Sequence, residues 1–149
     1  MDTVKEMLDI KGRDVWTIEA SQSVYQAIEL MAEKEVGALV VVDDSAHMTG
    51  IISERDYARK VILKNKSSKE TTVAGIMTKD VVSVREETTI DKCMSLMSLN
   101  RIRHLPVVDG TDTVGLITVG DLLKLTIKEQ SLAIEELESY IKDETGGSG

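Results

Sequence analysis

Hydroxyl and carboxyl side chains recur three positions apart at two places in the chain, Ser53 with Asp56 and Thr118 with Asp121. Each pair follows a glycine and two hydrophobic residues, where a short apolar strand is expected to give way to a helix. The hydroxyl and the free N–H groups of a helix start favour phosphate. A carboxylate on the same face can accept both hydroxyls of a ribose. The alternative is that both pairs only cap their helices.

A basic cluster precedes a buried strand in the second half of the chain, with Arg101, Arg103 and His104 followed by Pro106. The planar guanidinium matches phosphate oxygens, and an imidazole can donate to them or stack on a base. Arg101 shares a face with Arg103 only if the segment is extended. The alternative is a solvated loop with charge at a strand edge.

The first half lacks this cluster, because Gly37 and Ala38 occupy the positions of Arg103 and His104. It carries instead Arg55, inside the Ser-Glu-Arg-Asp motif, where the second half has a glycine. We therefore expect two unequal sites, with the second-half site better supplied with cations.

These motifs recur because the sequence itself is repeated. Leu39–Asp43 matches Leu105–Asp109 66 positions later, and Gly50–Ser53 matches Gly115–Thr118 65 positions later. Apolar spacing and polar caps predict helix-strand-helix-strand-strand-helix in each half, an α+β fold. The first half is expected to place these elements at 4–8, 15–18, from Ser21 or Ser23, 38–42, 49–52 and from Ser53. The second half is expected to place them at 73–77, 81–84, from Thr88 or Thr89, 105–108, 114–117 and from Thr118.

The repeats are expected at 3–63 and 73–128, joined by a polar linker at 64–72. A unit of roughly 60 residues is marginal alone, so the halves are expected to share a core. The last helix is expected to continue through an extension at 129–145, with an interruption at Gln130 and Ser131. Its apolar positions exceed what one repeat needs, so we expect it to pack on a partner subunit. The tail at 146–149 is predicted to be disordered.

Composition excludes several classes of function. A net charge of −8 disfavours nucleic-acid and anionic-membrane surfaces. Apolar runs fall far short of the roughly 20 residues that span a bilayer, and a signal-peptide core is not evident. Cys93 is the only cysteine and falls on an apolar helix face, which predicts a packed thiol. The chain has two histidines, of which His47 is expected to be solvated, so a metal site is disfavoured. The single cysteine is typical of a reducing compartment, and a cytoplasmic location is predicted.

The repeated unit resembles the CBS domain, named after cystathionine β-synthase, and two in tandem resemble a Bateman module. The resemblance covers about residues 3–128 and implies two repeats packed with pseudo-twofold symmetry. It further implies a regulatory adenine-containing ligand, AMP, ADP, ATP, NADH or S-adenosylmethionine, and a homodimer in which four CBS units form a flat disc. No catalytic cofactor is implied.

The resemblance also assigns roles to the candidate residues. It implies Thr118 at phosphate and Asp121 at ribose, with Ser53 and Asp56 at the same motif positions. Nucleotide-binding members often have a basic pair at Arg103 and His104, here in the order Arg-His rather than His-Arg, and a basic residue at the place of Arg55 that reaches phosphate. The first strand of each repeat lines the adenine pocket with backbone groups. Its residues are Trp16 and Thr17 in the first half and Val82 in the second. Ala38 and Pro106, near the start of the next strand of each half, are also predicted to contact the nucleotide. Trp16 itself either stacks on a base or belongs to the core, as a single tryptophan more often does.

We therefore predict a nucleotide-binding regulator of an unknown partner protein, and not an enzyme. One alternative is a ligand-free structural adaptor dimer, which the lost basic pair of the first half favours. A second alternative is a nucleotide hydrolase that uses Asp56 or Asp121 as a base. It is disfavoured because the second carboxylate or metal cluster usual for that chemistry is not visible in the sequence.

Overall fold

The computed structural model describes residues 2–144, so the predicted tail at 146–149 lies outside the described residues. The helices are α1 (Val4–Lys11), α2 (Val24–Lys34), α3 (Glu54–Tyr57), α4 (Val73–Ile76), α5 (Ile90–Asn100) and α6 (Val119–Glu144), and α3 continues into a π-helical turn at Ala58–Ile62. The strands are β1 (Thr17–Glu19), β2 (Ala38–Val42), β3 (Met48–Ser53), β4 (His104–Asp109) and β5 (Asp112–Thr118). The predicted α+β repeat is confirmed, and the caps of α2 and α5 are Ser23 and Thr89.

Each half is built around an antiparallel strand pair, β2 with β3 and β4 with β5. In the first half β1 adds a third, parallel strand beside β2. Both antiparallel pairs shift register at the same place in the repeat, after Val41 and after Val107. The duplication therefore extends to an irregularity of the backbone, as expected for a feature that shapes the fold.

The predicted strand at 81–84 is wrong, because in this segment only Val84 forms a bridge to β4. In the first half the N–H of Val40 donates to the carbonyl of Trp16 at 3.1 Å and ties β1 to β2. The second-half counterpart of Val40 is Pro106, which has no N–H to donate. Proline therefore removes the bond that would make this segment a strand.

The two opening helices are exchanged between the halves. The first two amides of α1 donate to the carbonyls of Thr88 and Glu86 at 2.9 and 2.8 Å. The first two amides of α4 donate to the carbonyls of Gln22 and Ala20 at 2.8 and 2.9 Å. Each half is consequently completed by the helix that opens the other half in sequence.

The cores follow the same exchange and are aliphatic, as predicted. Three residues of α1 (Val4, Met7 and Leu8) are buried among second-half residues: Val84, Ile90, Cys93, Met97, Leu105, Val107, Ile117, Leu122 and Leu125. Two residues of α4 (Val73 and Ile76) are buried among first-half residues: Ile18, Val24, Ala27, Met31, Leu39, Val41, Ile52 and Val61. Burial raises the pKa of the Cys93 thiol to about 11, so the predicted packed, unreactive thiol is confirmed.

The glycine of each repeat motif makes room for the exchanged segment. A Cβ atom on Gly115 would lie 2.7 Å from Cδ1 of Leu8, and one on Gly50 would lie 2.8 Å from the carbonyl oxygen of Thr78. At Gly50 the near atom is backbone and cannot move aside, whereas at Gly115 it is the end of the Leu8 side chain. Both glycines therefore allow the halves to pack closely.

The last helix, α6, leaves the body of the protein. Leu122 and Leu125 are buried against the second half, but every residue from Ile127 to Lys142 is exposed. The helix runs unbroken through Gln130 and Ser131, so the predicted interruption there is wrong. The helix propensities of Gln and Ser are not low enough to end a helix that is otherwise rich in Leu, Ile, Glu and Lys. No helix within residues 2–144 is long and apolar enough to cross a membrane.

Candidate functional site

A cavity of about 890 Å³ lies between the halves, and we call it the first cleft. One wall comes from β3, α3 and the π-helical turn, and the other from residues 78–82 and the turn between α5 and β4. Its lining residues are Gly37, Ile51, Ser53, Glu54, Arg55, Asp56, Arg59, Lys60, Thr78, Asp80, Val81, Val82, Asn100, Arg101, Ile102, Arg103 and His104.

Candidate residues from the two repeats meet in this cleft. Those that line it are Ser53, Arg55, Asp56, Val82, Arg101, Arg103 and His104. Those that do not line it are Trp16, Thr17, Ala38, Pro106, Thr118 and Asp121. Thr118 is the strand partner of His104 in the β4–β5 pair, so the expected grouping of Arg103 and His104 with Thr118 and Asp121 stays a prediction. The basic residues of the second repeat share a cavity with the Ser-Asp pair of the first.

Ser53 and Asp56 form a capping box at the start of α3. One carboxylate oxygen, Oδ2, accepts from the Ser53 amide at 3.0 Å and the Ser53 hydroxyl at 3.1 Å, while the Asp56 amide donates to that hydroxyl at 3.3 Å. The other oxygen, Oδ1, lies 3.0 Å from Nζ of Lys60. Because a carboxylate has about four acceptor positions, Oδ1 can still accept a ligand hydroxyl. Capping and ligand binding are thus compatible.

The first cleft carries an excess of positive charge, although the whole chain has a net charge of −8. Its five cationic residues are Arg55, Arg59, Lys60, Arg101 and Arg103, against three acidic residues, Glu54, Asp56 and Asp80. Arg55 also crosses the cleft, where its Nη1 donates to the carbonyl of Arg101 at 2.9 Å. A low-dielectric cleft of one charge sign concentrates ligands of the opposite sign, so the arrangement suits an anion.

His104 lies at the inner end of the basic cluster. Burial lowers its pKa, the charges of Arg103 and Lys11 lower it further, and Asp121 opposes them. The imidazole is therefore neutral at pH 7 and offers a ligand one N–H but no charge. Gly37 faces it, since a Cβ on that glycine would lie 3.4 Å from Nε2 of His104.

Arg101 ends α5 in the left-handed conformation, with φ at 53°, and its N–H donates to the last turn of the helix. The segment is therefore not extended at this residue, and the condition set for Arg101 to share a face with Arg103 is not met. A left-handed backbone is costly for a residue with a Cβ. The corresponding residue of the first half, Glu35, ends α2 in the same way, with φ at 55°.

Thr118 and Asp121 lie in the counterpart region, which we call the second cleft. They too form a cap, because Asp121 Oδ2 accepts from the Thr118 amide at 2.9 Å and the Asp121 amide donates to the Thr118 hydroxyl at 3.1 Å. The same Oδ2 lies 2.6 Å from Nζ of Lys11, which also donates to the carbonyl of Leu116 at 2.7 Å. A lysine of the exchanged helix α1 thus pairs with this carboxylate, as Lys60 pairs with that of Asp56.

Trp16 belongs neither to the core nor to the first cleft. Its side chain is 39% exposed, and Nζ of Lys34 lies 4.4 Å from the ring centroid, in a cation–π contact. The expectation of a buried tryptophan is therefore wrong, because the lysine covers the ring in place of the core. Thr17 is exposed on β1, whereas Ala38 and Pro106 are buried in β2 and β4.

A sequence profile of the CBS domain matches residues 4–63 and matches again at residues 73–128. The chain belongs to the CBS-domain family. As a CBS pair, it is 36% identical over 149 residues to the CBS domain-containing protein CBSX3, mitochondrial, from Arabidopsis thaliana, covering 94% of this chain and 72% of that protein. The name places that relative in mitochondria, and a cytoplasmic location for this chain stays a prediction.

Solved structures of CBS proteins match the fold. A putative signal-transduction protein with CBS domains from Burkholderia ambifaria MC40-6 is 50% identical, with a TM-score of 0.82, over 86% of this chain and 96% of that one. The CBS domain pair of protein MJ0100, in complex with 5-methylthioadenosine and S-adenosyl-L-methionine, is 29% identical, with a TM-score of 0.76, over 85% of this chain and 97% of that one.

Sequence reasoning missed several residues that form this CBS cleft. Arg59 and Lys60 line it from the π-helical turn, and Lys60 also donates to the carbonyl of Ile76 at 2.8 Å. The spacing of four residues between Asp56 and Lys60 was an available signal for their ion pair. The pairing of Lys11 with Asp121 left no such signal, because 110 positions separate the two residues.

Proposed function

We propose that this CBS pair binds an adenine nucleotide (AMP, ADP, ATP or NADH) in the first cleft and regulates a partner protein according to its occupancy. One observation carries the proposal. Ser53 and Asp56 of one repeat lie in a single cavity with Arg101, Arg103 and His104 of the other. A carboxylate suited to ribose hydroxyls and guanidinium groups suited to phosphate thereby lie in one site, within an otherwise acidic protein.

The phosphate would be held by Arg103, Arg101 and Arg55, whose guanidinium groups form paired hydrogen bonds with phosphate oxygens. The ribose hydroxyls would donate to Oδ1 of Asp56. His104 would donate one neutral N–H to the phosphate. A ligand held in this way would touch both repeats.

The adenine ring would be read by the backbone of Val82. Within residues 2–144, neither the N–H nor the carbonyl of Val82 takes part in a backbone hydrogen bond. Pro106 explains the free carbonyl, since it lacks the donor that binds the corresponding carbonyl of Trp16 in the first half. A donor and an acceptor at the cleft wall suit the amino group and ring nitrogen of adenine.

Regulation would follow from the position of the ligand between the repeats. A ligand shifts an equilibrium only if it binds one arrangement of the halves more tightly than another. Arg55 already links α3 to the carbonyl of Arg101 across the cleft. A bound phosphate would compete for this side chain, so occupancy would alter the contact between the halves and the surface presented to a regulated protein.

The second cleft supports the alternative function, a ligand-free structural adaptor, for that part of the molecule. Its carboxylate is paired with Lys11, and the first repeat has Gly37 and Ala38 at the motif positions where the second repeat has Arg103 and His104. We therefore expect one nucleotide per chain, in the first cleft.

The deciding experiment is calorimetric titration of the stripped protein with AMP, ADP, ATP, NADH and S-adenosylmethionine, comparing Asp56→Ala with Asp121→Ala. Wild type should bind one of them with one site per chain. Asp56→Ala should weaken binding by about 1.5–3 kcal/mol, the value of hydrogen bonds to a charged group. Asp121→Ala removes a matching cap and should leave binding unchanged.

Absence of binding heat for every ligand, with a cooperative thermal transition showing folded protein, would favour the adaptor. Loss of binding in Asp121→Ala alone would assign the nucleotide to the second cleft. The nucleotides recovered after long incubation with magnesium should be unchanged, and their hydrolysis would favour the enzyme alternative.

A further inference from the structure

The part of α6 that leaves the body carries a row of large apolar side chains, each more than half exposed. They are Leu123 (58%), Ile127 (54%), Ile134 (57%), Leu137 (60%) and Ile141 (53%). A helix without tertiary contacts is marginal in water at this length, because most helix stability comes from packing an apolar face. The exposed row therefore requires a cover.

The row has the spacing of a two-stranded coiled coil. With Gln130 included, its members follow one another at intervals of four, three, four, three and four residues, the d and a positions of successive heptads. Isoleucine fills the a positions and leucine the d positions, except for Gln130. The heptad spacing gives one continuous seam, which from Leu123 to Ile141 is about 27 Å long at 1.5 Å per residue.

The charges beside the seam favour an antiparallel pair of identical helices. Charges at the flanking e and g positions set helix orientation, and those here are Lys124 near the body and Glu138 near the far end, both at e. In an antiparallel pair, Lys124 of each copy lies beside Glu138 of the other. In a parallel pair e faces g, where the residues are uncharged: Thr126, Ala133 and Tyr140.

We propose that α6 pairs antiparallel with α6 of a second copy of this chain. The alignment that matches Lys124 with Glu138 also matches a with d along the seam. Leu123 meets Ile141, Ile127 meets Leu137 and Gln130 meets Ile134 of the second copy. The pairing is independent of nucleotide binding, and it places the two CBS pairs at opposite ends of a shared rod.

A charge exchange tests the orientation. Lys124→Glu and Glu138→Lys should each weaken self-association, measured by sedimentation equilibrium, by about tenfold, because two exposed ion pairs become two repulsive pairs. The double variant Lys124→Glu/Glu138→Lys restores opposite charges and should recover wild-type association. A double variant no tighter than the single variants would overturn the proposal.

Disulfide trapping tests the alignment of the two helices directly. Its result does not change if the two copies also associate through another surface of the CBS pair. Ile127→Cys and Leu137→Cys chains, mixed under mild oxidation, should form a linked 127–137 pair, while each variant alone should remain unlinked. Leu132→Cys, exposed but off the seam, is the control, and wild type controls for the buried Cys93. Linking of either seam variant with itself would show a parallel pair, and no linking in the mixture would show that the helices do not meet. Either result overturns the proposal.

Discussion

The first and second clefts descend from the same repeated motif, yet the lysine that pairs with each motif's carboxylate comes from a different part of the chain. In the first cleft Asp56 pairs with Lys60 of its own helical segment, and a cavity of about 890 Å³ remains beside it. In the second cleft Asp121 pairs with Lys11 of the exchanged helix α1. The same Ser/Thr-Asp cap therefore borders a cavity in the first cleft and pairs with a lysine of the exchanged helix in the second.

The backbone differs between the clefts as well as the side chains. In the first half, the carbonyl of Trp16 is used by the amide of Val40, so β1 is a true strand. In the second half, Pro106 leaves Val82 without that bond. One proline thus separates a structural backbone segment from one that is free to bind a ligand.

The largest expected effect comes from removing the cation that only the first cleft has. Arg103→Ala should weaken AMP binding by about 1.5–3 kcal/mol, because a charge-assisted contact to phosphate is lost. Adenosine, which has no phosphate, should be affected much less. Titration of both ligands into both proteins makes the comparison, and an equal loss for AMP and adenosine would contradict the phosphate assignment.

A smaller effect is expected from the two lysines that neutralise the caps. Lys11→Ala should lower the free energy of unfolding by about 1 kcal/mol, since its ion pair is only partly exposed, and leave nucleotide affinity unchanged. Lys60→Ala, the matched variant, should weaken nucleotide binding because Lys60 lines the first cleft. Chemical denaturation and calorimetry measure the two quantities. A loss of affinity in Lys11→Ala would show that the clefts are not separate.

The smallest effect concerns His104, whose pKa is lowered in the folded protein, mainly by burial. The unfolded chain then binds a proton more readily than the folded chain. The neutral form of His104 therefore contributes to the stability of the folded protein. This contribution is fully present above pH 6.5, the ordinary pKa of histidine, and is lost as the pH falls through the lower pKa of the folded state. His104→Gln should flatten the pH dependence of thermal melting between pH 7.5 and about 5.

The duplication made the element order predictable, because apolar spacing and polar caps such as Ser23 and Thr89 are local signals. It also identified seven of the residues that line the first cleft. It did not show which repeat supplies which wall, since Arg103 and Ser53 meet only through tertiary packing. The exchange of α1 and α4 was hidden for the same reason, because a helix has the same apolar pattern whichever core it enters. To predict that residues 81–84 do not form a strand, one would have to know that Pro106 faces them.

The exchanged helices also bear on how the protein is made. α1 leaves the ribosome well before its binding partners, because the carbonyls of Glu86 and Thr88 that receive it, and the core residues up to Leu125, are synthesised much later. The first half, in turn, is incomplete until α4 has emerged. Contacts between residues so distant in sequence slow folding, because a long loop must close before they form. The amino-terminal segment must therefore wait for nearly the whole chain, and a gene fragment that encodes either repeat alone would yield a protein with an open core.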